Sequence, residues 1–278
     1  MSERDGYEPG VPCWVATVHS DPEKAVSFYT ELFGWEATNL MPPESPGKYF
    51  VCRRRGRDVA AIGSERGGNG GAPSVPAWDT YIWAESADET VAKVTDAGGS
   101  VVVEPFDRLD AARMALVADP AGAVFGVWQP GEHHGAQLVN EPGAWSMSQL
   151  NTRDPEGAKA FYGAVFGWET DTFDMGEGEI TLWRLPGYVG GEPSQPVSRE
   201  VVGVMVPMSC DRSTPEDVSA HWSVDFWVDD VYAAADKAAE QGGEIKVSPF
   251  HTSVGKTAIL SDPQGAVFSV SKVGPPGA

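Results

Sequence analysis

The sequence predicts an α+β fold built from two tandem, similar halves, each a pair of strand–helix–strand–strand–strand units. Three observations carry that prediction. The stretch DPEKAVSFYTELFGWEAT from Asp21 returns as DPEGAKAFYGAVFGWETD from Asp154. DPAGAVFGV from Asp119 returns as DPQGAVFSV from Asp262, and AGGSVVVEPF from Ala97 matches QGGEIKVSPF from Gln241. A period of about 130 residues is too long for a solenoid repeat and marks a duplicated domain. The 278-residue chain has room for two such domains, each large enough to bury roughly two-thirds of its unfolded surface.

The elements follow in order. Trp14 to His19 reads as a short strand. Asp21-Pro22-Glu23 then opens a helix, with Asp21 as cap, Pro in the first turn and an acid at the positive end of the dipole. Ala25, Phe28, Tyr29, Leu32 and Phe33 recur at helical spacing, and Gly34 stops the helix. Strands are expected near Glu36–Leu40, Lys48–Arg53 and Asp58–Ile62, followed by a Gly/Pro-rich connector from Ser64 to Pro76. The second unit reads as a strand over Thr80–Ala84, a helix over Ala87–Ala97 ended by Gly98-Gly99, and strands at Val101–Glu104, Met114–Ala118 and Val124–Trp128.

The second half repeats this order, with helices at Pro155–Phe166 and Asp230–Gln241. The expected domains are residues 8–130 and 144–274, joined by a linker at 131–143. The halves differ most at Pro186–Ala220, a stretch rich in Gly, Pro and Ser. A loop of that length reads either as a lid or interface, or as a surface excursion.

Composition excludes several functions. The formal charge is −20, from 20 basic and 40 acidic residues, a field that repels nucleic acid and anionic lipid. Cys13, Cys52 and Cys210 form no CxxC pattern, so neither a disulfide framework nor a zinc knuckle is expected. The start, MSERDGYEPG, has no apolar signal segment and no apolar run is long enough to span a bilayer. The expected location is the cytoplasm, as a monomer or homodimer.

The DP-helix-FY-FGW segment, the alanine-rich helix ending in GG and the DPxGAVF strand, each present in both halves, resemble the vicinal oxygen chelate superfamily. That superfamily includes glyoxalase I, extradiol dioxygenases and bleomycin-resistance proteins. The resemblance covers nearly the whole chain and implies four βαβββ modules in two tandem domains. Their curved mixed sheets would make two concave, ligand-holding surfaces. The tandem glyoxalase-like members of that superfamily are the most similar.

Metal-using members place ligands at fixed distances from the FY, GG and DPxG motifs. Those positions fall here on Trp14 and Met147, Asp79 and Ser223, and Gly126 and Ser269. Of the six, Asp79 alone is a good divalent-ion ligand, and one carboxylate does not make a site. His221 shares a face with Ser223 by the two-residue period of a strand. His133-His134 lies in the linker, where solvation or hydrogen bonding is expected, and His19 and His251 are isolated. No metal or other cofactor is expected.

Strand parity aims other groups into the same hollows. Asp79, Tyr81 and Trp83 share one face with Trp14, and Gly126 and Trp128 follow the same rule. In the second half Ser223, Asp225 and Trp227 face Met147 and Gln149, with Ser269 and Ser271 nearby. Ring walls suit a flat, conjugated ligand, although the same rings equally suit packing under a loop or against the other half. Asp79, Tyr81 and Asp225 are the acid/base candidates, since burial raises a carboxyl pKa toward neutrality. The expected function is metal-free binding of a hydrophobic or aromatic small molecule, as in drug-sequestering relatives in secondary metabolism. Two alternatives stay open: a metal-independent enzyme performing an isomerase, cyclase, hydratase or hydroxylase-like step in natural-product metabolism, and a glyoxalase-type lyase or dioxygenase with a metal site rebuilt on Asp79 and His221.

Overall fold

A computed structural model describes residues 3–64, 76–174, 179–190, 198–208, 218–252 and 255–274. The first half contains β1 (Pro12–His19), α1 (Pro22–Phe33), β2 (Glu36–Asn39), β3 (Tyr49–Arg54) and β4 (Arg57–Ser64). Its second unit is β5 (Trp78–Trp83), α2 (Ala87–Asp96), β6 (Ser100–Arg108), β7 (Ala112–Ala118) and β8 (Val124–Pro130). The other half repeats the order as β9 (Trp145–Thr152), α3 (Pro155–Phe166), β10 (Glu169–Asp174), β11 (Glu179–Arg184) and β12 (Val201–Pro207). It closes with β13 (His221–Trp227), α4 (Val231–Glu240), β14 (Glu244–Thr252), β15 (Gly255–Ser261) and β16 (Val267–Val273). The fold is α+β, with four βαβββ units as expected.

The repeated DP…FG motif is helix punctuation. Asp21 Oδ1 accepts from the Lys24 amide at 3.1 Å, and Asp154 Oδ1 from the Gly157 amide at 2.9 Å. Gly34 and Gly167 close α1 and α3 at φ of 70° and 72°, a left-handed conformation that glycine adopts without a Cβ clash.

Each half folds into one eight-stranded sheet, in the orders β2-β3-β4-β1-β5-β8-β7-β6 and β10-β11-β12-β9-β13-β16-β15-β14. The central pairs β1–β5 and β9–β13 run antiparallel, while β1–β4 and β5–β8 are parallel. The first sheet curls until its distant strands meet: the Arg108 guanidinium on β6 lies 3.8 Å from the Tyr49 ring centre on β3.

The hydrophobic cores do not follow the halves. One joins the first unit to the fourth, packing Phe28, Tyr29 and Phe33 against Phe226, Ala235 and Phe268. The other joins the second unit to the third, around Phe125, Phe161, Tyr162 and Trp222. Tyr29 Oη donates to Asp262 Oδ2 at 3.1 Å and accepts from Trp78 Nε1 at 2.9 Å. Tyr162 repeats this with Asp119 at 3.2 Å and Trp222 at 2.9 Å. Thus the FY and DPxG motifs of opposite halves bind each other.

Two sequence expectations need correction. The stretch read as an insertion, Pro186–Ala220, contains β12, which pairs with β11 and β9. Its run VVGVMVP is a strand whose Gly- and Pro-rich flanks hid it; residues 191–197 and 209–217 of the same stretch lie outside the described residues. Strand β6 continues past Glu104 to Arg108, because register shifts around Val103 accommodate Pro105 in the sheet. The linker is a packed strap: Ala136 donates to Cys13 O and Gln137 to Asp58 O, each at 2.7 Å, with Leu138 fully buried. The connector at 65–75 and Cys210 also lie outside the described residues. Among the described residues, no helix is long and apolar enough to cross a membrane.

Candidate ligand site on the concave sheet faces

Alternation along β5 sends Trp78, Thr80 and Ile82 into the cores, and Asp79, Tyr81 and Trp83 to the opposite, concave face. Register then assembles that face: Trp14 pairs with Tyr81, Ala16 with Asp79, and Tyr81 with Gly126. The expected residues Trp14, Tyr81 and Trp128 do come together, but they fill the hollow. Trp14 is 0% and Trp128 1% exposed, and their ring centres are 6.1 Å apart. Tyr81 meets Trp128 edge-on at 5.8 Å. Gly126 makes room for this packing, since a Cβ there would lie 2.0 Å from Tyr81 Cδ1.

His133, expected to be solvated or hydrogen-bonded, completes the plug. Its ring stands 4.5 Å from Trp14 and 5.4 Å from Trp128, and its carbonyl accepts from Trp128 Nε1 at 3.2 Å. Nδ1 accepts from the Gly135 amide, which puts the ring proton on Nε2, 3.2 Å from Asp58 Oδ2. Arg53 Nε donates to the same carboxylate at 2.7 Å. Burial alone would raise Asp58, but the His133 and Arg53 nitrogens outweigh it and hold the carboxyl below its usual range. Only proximity in space links His133 to Trp14, so no sequence signal pointed to it.

Asp79 lies two residues along β5 from this plug, partly exposed, with no hydrogen bond or ion pair to any described residue. Burial pushes its carboxyl up to about 7. Trp83 stands apart from the plug, beside Tyr7 and His134 at 6.2 Å from each.

The second face is open. Met147, Gln149, Ser223, Asp225, Trp227 and Ser269 are all partly exposed, alternating with buried neighbours on their strands. Register places Asp225 between Met147 and Ser269, and Ser223 beside Gln149. Ser146 Oγ donates to Asp225 Oδ2 at 2.6 Å, and Ser271 donates to the same oxygen. Burial raises the Asp225 carboxyl despite these serine hydroxyls. Asn151, missed in the sequence although it has the parity of Gln149, links Gln149 to Ser223 through bonds of 2.7 and 3.1 Å.

Around that polar floor stand apolar side chains. Val247 and Phe250 share rows with Ser269 and Ser271 through Ile259 and Thr257, and Val267 precedes Ser269 at the same parity. Phe173, paired with Ile180, stands at the same parity on the opposite wall. These four side chains are between 41% and 49% exposed. On the first sheet Met114, at the position of Thr257, is buried, while Val103, Phe106 and Val124, at the positions of Val247, Phe250 and Val267, are partly exposed.

The inherited metal positions do not suit an ion. Trp14 and Gly126 are closed by rings, Met147, Ser223 and Ser269 are weak ligands, and Asp79 stands without a second donor. Among the described residues no three His, Cys, Asp or Glu side chains gather to hold a metal. Asp79 and His221 belong to different sheets, which counts against a site built on that pair. Cys13 and Cys52 are buried thiols whose pKa burial raises, so they are unreactive strand residues.

Residues 14–127 match the Glyoxalase/Bleomycin resistance protein/Dioxygenase superfamily, and residues 147–271 match a glyoxalase-like domain. The chain is 39% identical to "Putative glyoxylase CFP32" of Mycobacterium tuberculosis, over 99% of both chains. It is 34% identical to the anthracycline biosynthesis protein DauV of Streptomyces sp. strain C5, over 95% of this chain and 94% of that one. Among solved structures, the 2,3-dioxygenase LapB of Pseudomonas sp. KL28 aligns with a TM-score of 0.61 at 15% identity, covering 98% of this chain and 96% of that one. The Mn(II)-bound glyoxalase of Novosphingobium aromaticivorans aligns at 0.59 and 16% identity, covering 95% and 82%. At such identities the two structures share the fold alone.

Proposed function

Because the chain belongs to the glyoxalase/bleomycin resistance protein/dioxygenase superfamily, we propose that it binds a hydrophobic or aromatic small molecule of secondary metabolism on the concave face of its second sheet, without the family's metal. One observation carries this reading: four half-exposed apolar side chains, Phe173, Val247, Phe250 and Val267, surround a floor of serines, Gln149 and Asp225. Covering the exposed part of each contributes about 1 kcal/mol, while the floor offers donors and acceptors to hydroxyl or carbonyl groups. The relatives named for anthracycline biosynthesis point to aromatic compounds as the ligand class. Titration with an anthracycline aglycone tests the reading. Binding with the compound recovered unchanged supports it, and equal binding by wild type and Phe250→Asp contradicts it.

A second reading rests on Asp79. A carboxyl raised to about 7, with no partner among the described residues, can take up or release a proton at neutral pH, as metal-independent isomerisation or hydration requires. In that reading Asp79→Asn abolishes turnover and spares binding. Unchanged turnover would remove Asp79 from the chemistry.

A further inference from the structure

We propose a second small-molecule site, at the rim of the first concave face and apart from its ring plug, where the N-terminal arm, the strap between the halves and residues 188–190 meet beside Trp83. A groove of about 650 Å³ lies there, well within the range of ligand pockets. Four aromatic side chains, Tyr7, Trp83, His134 and Tyr188, stand in its walls. Trp83, at the end of β5, stands 6.2 Å from Tyr7 of the arm and 6.2 Å edge-on from His134 of the strap. Tyr188 and Val189 form the opposite wall, and Val189 is 61% exposed.

The groove is preformed because backbone bonds fix the arm. Gly10 donates to Trp83 O and Trp83 to Val11 O, each at 2.9 Å. The Tyr7 hydroxyl donates to Ala136 O at 2.7 Å, and the Arg4 amide to Gln137 O at 3.0 Å. The Arg4 guanidinium also donates to Gly190 O, tying the arm to the opposite wall. A ligand entering such a site meets little ordering cost.

The lining chemistry selects the ligand class. Arg4 and Glu8 carry opposite charges, so the groove is nearly neutral in a chain of formal charge −20. Rings on one side and an exposed valine with a phenol on the other favour a flat, uncharged aromatic molecule. The site differs from the second concave face, whose floor is serine and carboxyl.

The test is calorimetric titration of the full chain with 2-naphthol, a neutral fused-ring probe. Trp83→Leu and Val189→Glu should each raise Kd at least tenfold. Val124→Arg, on β8 away from the groove, should leave it within twofold, while Phe250→Asp reports any binding of the probe on the second concave face. Val189 is an exposed rim residue, so its variant keeps the test sound if Trp83→Leu fails to fold. Absence of binding to wild type, or unchanged affinity in Val189→Glu, would overturn the proposal. Loss confined to Phe250→Asp would also overturn it, placing the probe on the second concave face and leaving the function proposed above intact.

Discussion

The phenol ring of Tyr81 lies where a side chain at Gly126 would stand, 2.0 Å from the Cβ that residue lacks. In metal-using members of the superfamily that position carries a carboxylate ligand. Here glycine leaves room for the Tyr81 ring, which with Trp14, Trp128 and His133 closes the first hollow.

Gly126→Ala should therefore destabilise the protein by about 1–3 kcal/mol, the usual cost of overpacking a filled interior. Adding Tyr81→Ala should recover part of that loss. Urea denaturation of the single and double variants checks this, and additive losses would deny the contact.

Tyr29→Phe should cost about 1–3 kcal/mol, because it leaves Trp78 Nε1 buried without its acceptor and takes the hydroxyl donor from Asp262 Oδ2, which keeps His19 Nε2 at 3.5 Å. Tyr162→Phe should cost a similar amount through Asp119 and Trp222. The two sit in different cores, so the double variant should show the sum of the single losses. Denaturant midpoints measure all three.

Asp79 gives the protein a distinctive pH response. Its folded pKa of about 7 lies above the unfolded value of about 3.9, so the native state holds the proton more tightly. This contribution is fully present below pH 4, is lost as pH rises through 7, and is flat beyond. Allowing for solvent screening of a partly exposed carboxyl, the loss is about 2 kcal/mol. Stability of wild type minus that of Asp79→Asn, measured from pH 4 to pH 8, should fall by that amount. A difference that does not change with pH would refute the raised pKa.

Phe250→Asp should weaken binding of an anthracycline aglycone at least tenfold and leave thermal stability nearly unchanged, since the ring is 41% exposed before ligand covers it. Affinity and melting temperature, measured on the same samples, separate the two effects.

Much of the fold was legible because punctuation and periodicity agreed. Asp21 and Gly34 bracket α1, Asp154 and Gly167 bracket α3, and strand parity alone aimed Trp14, Asp79 and Tyr81 to one face. What parity cannot supply is the third dimension. Whether inward rings wall a cavity or fill it depends on His133, which arrives from the strap, and on Arg108 reaching Tyr49 across the curl. The apolar wall of the second face was equally hidden, because Val247 and Phe250 sit on a strand interrupted by register shifts. Strand β12 was lost to its Gly- and Pro-rich flanks. The pairing of Tyr29 with Asp262 joins motifs that the sequence marked as important without saying that they touch.

The central claim is an asymmetry: one concave face is closed by its own side chains and the other is open to a ligand. Methyl NMR spectra of a valine-labelled sample, recorded while an anthracycline aglycone is titrated, test it most directly. The account predicts shifts at Val247 and Val267, with no shift at Val59. That residue is buried on β4 at the parity of Ala61, the residue paired with Ala16 beside Asp79. Shifts at Val59 with Val247 and Val267 unchanged would contradict it.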